Sequence, residues 1–224
     1  YNKPMIYYPI EFLRDSGITD LLIVLGGNSV GEFIELLGDG SDLGVKITYR
    51  YQAKPDGIAG ALKLAKDFVG DEPFVVCLGD NVFGASFNAC IQYFRIKCDE
   101  SPHAQIFLSK TNTPEKFGVP TIDMLDGTPV CPIKVHKITE KPLTPDYDYA
   151  VTGLYCYDKH IWSMINSLEP SKRGELEITD INNWYIEHGQ LHATIVVKFW
   201  HDCGSITSLF ECSKLVEAKY AAKK

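Results

Sequence analysis

Two aspartates stand where an α/β chain can use them for chemistry. Asp80 lies in Leu78-Gly79-Asp80-Asn81, directly after the apolar run Phe74-Val75-Val76-Cys77-Leu78, and Asp202 lies in Trp200-His201-Asp202-Cys203-Gly204, after a second apolar segment. In open α/β sheets ligands occupy the crevice outside the carboxyl ends of the strands, so an acid in either place points into the natural binding site. Two carboxylates from distant strand ends can share one Mg²⁺, with substrate phosphates and water completing its octahedron. Taken singly, each aspartate also suits a plainer role: Asp80 as a helix cap or Asx turn, Asp202 as a turn or cap residue.

A third candidate is Tyr51-Gln52-Ala53-Lys54-Pro55-Asp56-Gly57, which leads into Ile58-Ala59-Gly60-Ala61-Leu62. Small residues at such a helix start let a planar group approach the backbone, and Gln52 offers a donor and an acceptor to a base edge. A tight turn with Gly57 at positive φ accounts for the same residues. Lys137-Ile138-Thr139-Glu140-Lys141-Pro142 sets an acid beside a base, and Arg173 opens a stretch carrying Glu175, Glu177 and Asp180. A carboxylate can accept sugar hydroxyls while a neighbouring cation neutralises phosphate, which suits a phosphosugar; both stretches also read as solvated charged faces. The histidines are dispersed, and only His201, beside Asp202, falls near a candidate acid.

These residues need a scaffold, and short apolar runs alternating with amphipathic segments predict one: βαβ units and a doubly wound, mostly parallel sheet. Strands are expected at Asp20 to Leu25, Val45 to Tyr51, Pro73 to Leu78 and Ala104 to Ser109, with helices near Val30 to Leu37, Ile58 to Phe68 and Phe87 to Lys97. Asn28 and Ser29 are capping candidates for the first helix. Beyond Ser109, the punctuation by Gly118, Pro120, Gly127 and Pro129 predicts a small β-hairpin insertion ending near Glu140-Lys141-Pro142. Tyr149 to Tyr157 and His192 to Val197 read as further strands, with helices around Ile161 to Leu168, Ile178 to His188 and Ile206 to Ala222. In the last helix, Leu209, Leu215, Val216 and Tyr220 recur near helical spacing, as ordinary packing requires.

The 224 residues, 45% of them hydrophobic, suffice for one domain. A net charge of −7 with scattered Lys and Arg lacks the basic stripe that nucleic acid demands, while leaving room for a small anionic ligand. The cysteines, Cys77, Cys90, Cys98, Cys131, Cys156, Cys203 and Cys212, are odd in number and lack the spacing of a zinc or redox motif, which reads as reduced thiols in a cytoplasmic setting. No apolar stretch approaches the roughly 18 to 20 residues of a membrane span, and Tyr1 to Ile10 resembles no signal peptide. The expectation is a soluble protein with no membrane or nucleic-acid partner.

Taken in order, KPMIYYP, LLGDGSDLGVKITY, QAKPDGIAGAL, LGDN, EKFGV, ITEKP, YAVTGLYCYD, RGELEITDIN and WHDCG closely resemble the sugar-phosphate nucleotidyltransferases, of the glucose-1-phosphate thymidylyltransferase type. The resemblance implies a Rossmann-like nucleotidyltransferase fold and transfer of a deoxythymidylyl or uridylyl group from dTTP or UTP to a hexose 1-phosphate, with release of pyrophosphate. It implies that Asp80 and Asp202 hold Mg²⁺, that Gln52 and Gly57 contact the base, that Leu78 is a further substrate contact and that Glu140 accepts sugar hydroxyls. Gly118 and Val151 then line the sugar pocket, and Lys141 and Arg173 bind the sugar phosphate. Relatives are commonly multimeric, so a homo-oligomer stays open.

The chain departs from the family pattern at its start, where Tyr1-Asn2-Lys3-Pro4 resembles the family's second lysine-proline element rather than its opening strand and Gly-rich triphosphate loop. Lys3 therefore does not inherit a catalytic role. A single catalytic domain incomplete at its N-terminus is expected, with two unpaired sheet edges and an apolar face where the central strand would lie. The alternative is a nucleotide-sugar-binding or regulatory protein that has lost the loop. Phe117 and Cys203 also replace the tyrosine and threonine usual in the family.

Overall fold

The computed structural model describes residues 1–129 and 132–221, with side chains described as far as residue 218. Its first half runs α1 (Tyr7–Asp15), β1 (Asp20–Gly26), α2 (Val30–Leu37), β2 (Lys46–Gln52), α3 (Ile58–Lys63), α4 (Lys66–Val69), β3 (Phe74–Cys77), β4 (Asn81–Phe83) and α5 (Asn88–Glu100). The second half runs β5 (Ala104–Lys110), β6 (Gly118–Ile122), β7 (Met124–Leu125), β8 (Thr128–Pro129), β9 (Val135–Glu140), β10 (Tyr149–Tyr157), α6 (Ile161–Ser167), α7 (Ile178–Glu187), β11 (Leu191–Ile195), β12 (Trp200–Asp202) and α8 (Ile206–Ala221). Cys131 and the expected helix end at Ala222 lie outside the described residues, as does the side chain of Tyr220.

The central sheet has the order β11-β5-β10-β3. β11 runs parallel to β5, but β10 is antiparallel to both β5 and β3, so this sheet is mixed where the sequence predicted mostly parallel pairing. β10 is buried along its whole length because each face is covered. Tyr149, Val151, Tyr155 and Tyr157 pack with Ile161, Ile181 and Tyr185, while Ala150, Leu154 and Cys156 pack with Phe87, Phe94 and Phe107. Two of the phenols buried in this core are satisfied, Tyr157 donating to Asn182 (2.6 Å) and Tyr185 to Asp158 (2.6 Å).

β1 and β2 form a separate parallel pair, in register from Asp20 opposite Lys46 to Gly26 opposite Gln52. β1 and β3 each keep one edge without a strand partner among the described residues, and both line one apolar cleft of about 1360 Å³, together with Ile10, Leu13, Leu62 and Phe94. The expected hairpin insertion is present as the antiparallel β6–β9 ladder with β7 and β8 at its tip.

Locally the structure departs from the elements expected and adds others. The helix expected from Ile58 to Phe68 is broken into α3 and α4. α1 was not expected, yet Pro9 sits in its first turn, where a missing N–H costs no intrahelical bond. The short strands β4 and β12 were also not anticipated, and their pairing shapes the candidate site. Ser29 occupies the cap position of α2 but makes no side-chain capping bond.

Candidate functional site

β4 begins one residue after Asp80, and β12 ends on Asp202. Their antiparallel register sets Asn81 opposite Asp202, Val82 opposite His201 and Phe83 opposite Trp200. The N–H of Cys203 donates to the carbonyl of Asp80 (2.8 Å), which fastens the two strand ends together. Both carboxylates flank Gly204: a Cβ there would stand 3.1 Å from Asp202 Oδ1 and 3.3 Å from Asp80 Oδ2. Asn81 lies between the acids, its Nδ2 donating to Asp80 Oδ1 (2.9 Å) and reaching Asp202 Oδ2 (3.5 Å). Its Oδ1 accepts from the Gly153 N–H (2.9 Å) and from Trp200 Nε1 (2.6 Å), and these two donors fix which end of the amide faces the acids. Burial pushes the Asp202 carboxyl above its ordinary range, and the charge of Asp80 adds to that push, against the Gly204 N–H that donates to it. An oxygen-only pair under this mutual repulsion fits a hard divalent cation, which would offset both charges. Among the described residues no group of three or more His, Cys, Asp or Glu side chains forms a closed metal cage.

A second wall carries the other charged candidates. The β6–β9 register sets Gly118 opposite Glu140, and Glu140 Oε2 accepts from Thr179 Oγ1 (2.5 Å). The Arg173 guanidinium reaches Glu177 (2.8 Å), Glu175 (3.2 Å) and Glu140 (3.3 Å). Burial raises the Glu177 carboxyl, but the hydrogen bonds from Arg173 and Ser171 outweigh it, and its pKa falls below the ordinary value. Lys141 adopts φ 43°, rare for a residue with a Cβ, while its N–H donates to Phe117 (3.0 Å). Between the walls lies Tyr155, whose phenol is raised first by burial and then by Glu140, Asp80 and Asp202. Glu140, Asp80 and Asp202 thus all act electrostatically on the buried Tyr155 phenol. Gln52 ends β2 and lines the large apolar cleft with Gly57 and Asp80, and Gly57 takes φ 95° with Leu176 carbonyl oxygen 2.7 Å from where a Cβ would be.

The family model described as nucleotidyl transferase matches residues 1–219. The chain belongs to this family. It is 39% identical to the glucose-1-phosphate thymidylyltransferase of Neisseria meningitidis over 220 residues, covering 97% of this chain and 73% of that protein. It is 40% identical to the protein of that name from Xanthomonas campestris, over 97% of this chain and 71% of that one. A Bacillus anthracis structure described as a glucose-1-phosphate thymidylyltransferase, in complex with sucrose, superposes with a TM-score of 0.82 at 40% identity, covering 95% of this chain and 82% of that one. A UDP-glucose pyrophosphorylase complexed with UDP-glucose shares the fold, with a TM-score of 0.80 at 21% identity over 97% of this chain and 88% of that one.

In this nucleotidyltransferase, Asp80 and Asp202 meet, as do Gly118, Glu140 and Arg173. Lys141 is exposed, next to Glu140, and its charge reaches Glu177. Arg173 does not face the crevice as a free cation; it is held by carboxylates, so meeting a phosphate requires exchange of those partners. Leu78 lines the large cleft with Gln52, Gly57 and Asp80, and its N–H donates to the Gly153 carbonyl (2.8 Å). Val151, 7% exposed, packs in the core beneath the site. His201 turns toward Glu211 on α8, at 3.8 Å. Sequence reasoning missed Asn81 and Trp200 as the clamp that orders the two acids. One signal was available: Gly153 interrupts an otherwise bulky strand, and a strand glycine marks close approach. A Cβ at Gly153 would lie 2.6 Å from Asn81 Cγ.

Proposed function

We propose that the protein transfers a deoxythymidylyl group, or a uridylyl group, from dTTP or UTP to glucose 1-phosphate, giving a nucleotide sugar and pyrophosphate. The observation that carries this reading is the pair Asp80 and Asp202, bridged by Asn81 in a chain of the nucleotidyl transferase family. A phosphate oxygen of the sugar 1-phosphate attacks the α-phosphorus in line and pyrophosphate leaves, so the protein's task is positioning and charge compensation. Asp80 and Asp202 hold Mg²⁺, which offsets charge on the reacting phosphates when bound. Gln52 and Gly57 receive the base, Leu78, Gly118 and Val151 shape the pocket, and Glu140 accepts sugar hydroxyls. Lys141 and Arg173 take the sugar phosphate, Arg173 leaving its carboxylate partners as it does so. The setting is the cytoplasm, in keeping with the free cysteines among the described residues. Assembly into a homo-oligomer is compatible with this reading.

The test is pyrophosphate release by the full-length protein with dTTP, UTP and a panel of hexose 1-phosphates. Mg²⁺-dependent turnover with glucose 1-phosphate is expected. Nucleotide-sugar binding without turnover on any pair would instead identify a binding protein.

A further inference from the structure

The Gln52 side chain is held in one orientation by groups that can only accept. Its Nε2 donates to Asp56 Oδ1 (2.7 Å) and to the Gly57 carbonyl (3.4 Å). Neither a carboxylate nor a carbonyl can donate, so the amide cannot be reversed without loss of the 2.7 Å bond and the longer contact to Gly57. Oε1 then has no partner among the described residues.

Asp56 is itself built into place. A Cβ on Gly60 would stand 2.0 Å from Asp56 Oδ1, so the carboxylate occupies space that only glycine leaves open at the start of α3. The backbone is tied down as well, since the Asp56 carbonyl accepts from the Leu176 N–H (2.8 Å). The carboxylate is thus seated against Gly60 on a tied backbone, and its bond to Nε2 sets the face Gln52 presents.

We propose that Asp56 is a positioning residue that sets base selectivity: it leaves Gln52 Oε1 as the only group the amide offers, and so selects a base with an imide N–H. Thymine and uracil carry that donor at N3; cytosine carries an acceptor there and is repelled. This rests on the reading of Gln52 as the base contact. A site built around one hydrogen bond rejects a ligand that leaves the buried group unmatched far more strongly than a site built on apolar fit.

The experiment is calorimetric binding of dTTP and dCTP, with Mg²⁺ and without sugar phosphate, to the full-length protein and to Asp56→Ala, Gly60→Ala and Asp56→Asn. In Asp56→Ala the freed amide rotates and offers its N–H to N3 of cytosine, so the dTTP-to-dCTP affinity ratio falls at least tenfold. Gly60→Ala, which crowds the carboxylate away without removing it, lowers the ratio in the same direction. Asp56→Asn, whose amide oxygen still accepts, restores the ratio to within about threefold of the wild type. Where turnover is measurable, the change appears in KM for the nucleotide and spares KM for the sugar phosphate. An unchanged ratio in both Asp56→Ala and Gly60→Ala overturns the proposal while leaving the transferase reading intact. Absence of binding of both dTTP and UTP to the wild type under the same conditions overturns both.

Discussion

Asn81 makes one carboxamide serve both sides of the β4–β12 junction. Its oxygen takes two donors from the core, Gly153 N–H and Trp200 Nε1, and its nitrogen faces the two acids. Removing the side chain orphans two buried donors, and each such loss costs roughly 1 to 3 kcal/mol. Asn81→Ala is therefore expected to lose about 2 to 4 kcal/mol by urea denaturation, with a kcat at least tenfold lower. Asn81→Asp keeps the size but replaces the donor with a third negative charge beside Asp80 and Asp202. Its kcat is expected to fall further than that of Asn81→Ala, a comparison that separates electrostatic from packing effects. Equal losses in the two variants would count against the bridging role. The amide could not be read from Leu-Gly-Asp-Asn alone, because its oxygen partners come from β10 and β12, far along the chain.

At the scale of elements, β10 decides how closely the site can be drawn together. Gly153 sits at the irregularity between Val151 and Tyr155, and only hydrogen fits against Asn81 there. Gly153→Ala is expected to cost about 1 to 3 kcal/mol through overpacking, and to lower kcat much more than thermal stability, by about 100-fold, because the displaced group is the clamp on the acids. A kcat within threefold of the wild type, measured by pyrophosphate release, would contradict this. The opposite end of the same sheet carries a separate expectation. His103 is buried at the start of β5, its ring 4.3 Å from that of His192, and burial first, then His192 and Lys97, lower its pKa to about 4 against a smaller opposing pull from Asp158. The folded state thus holds a neutral imidazole that the unfolded chain would protonate below about pH 6.5. Stability is present above that pH and is lost as pH falls toward 4. By linkage His103 alone removes about 2 kcal/mol between pH 7.5 and pH 5, and His103→Leu should flatten that slope in urea denaturation. Much of this scaffold was legible: β1, β2, β3, β5 and their helices follow local periodicity. β4 and β12 were not, since three-residue strands carry no period and exist only because they pair across the chain. The direction of β10 was hidden for the same reason, because a strand covered on both faces has no alternation that reports its partners.

At the scale of the molecule, the chain sets acids from the β3–β4 turn, β9 and β12 around the buried phenol of Tyr155 while carrying a net charge of −7. Binding anionic phosphates beside such acids is unfavourable without a cation, which the proposed Mg²⁺ between Asp80 and Asp202 would supply. The collinear motifs made the family legible in the sequence, and the nucleotidyl transferase match over residues 1–219 agrees with them. The candidate residues were legible by type, whereas their partners, Asp56 behind Gln52 and three carboxylates around Arg173, depend on contacts no single segment contains. The most direct test is the Mg²⁺ dependence of pyrophosphate release from dTTP and glucose 1-phosphate by the full-length protein, compared with Asp80→Asn and Asp202→Asn. The account predicts turnover abolished by chelation in the wild type, and in each variant a rate at least about 100-fold lower with a raised Mg²⁺ requirement. Wild-type rates and an unaltered Mg²⁺ requirement in both variants would contradict it.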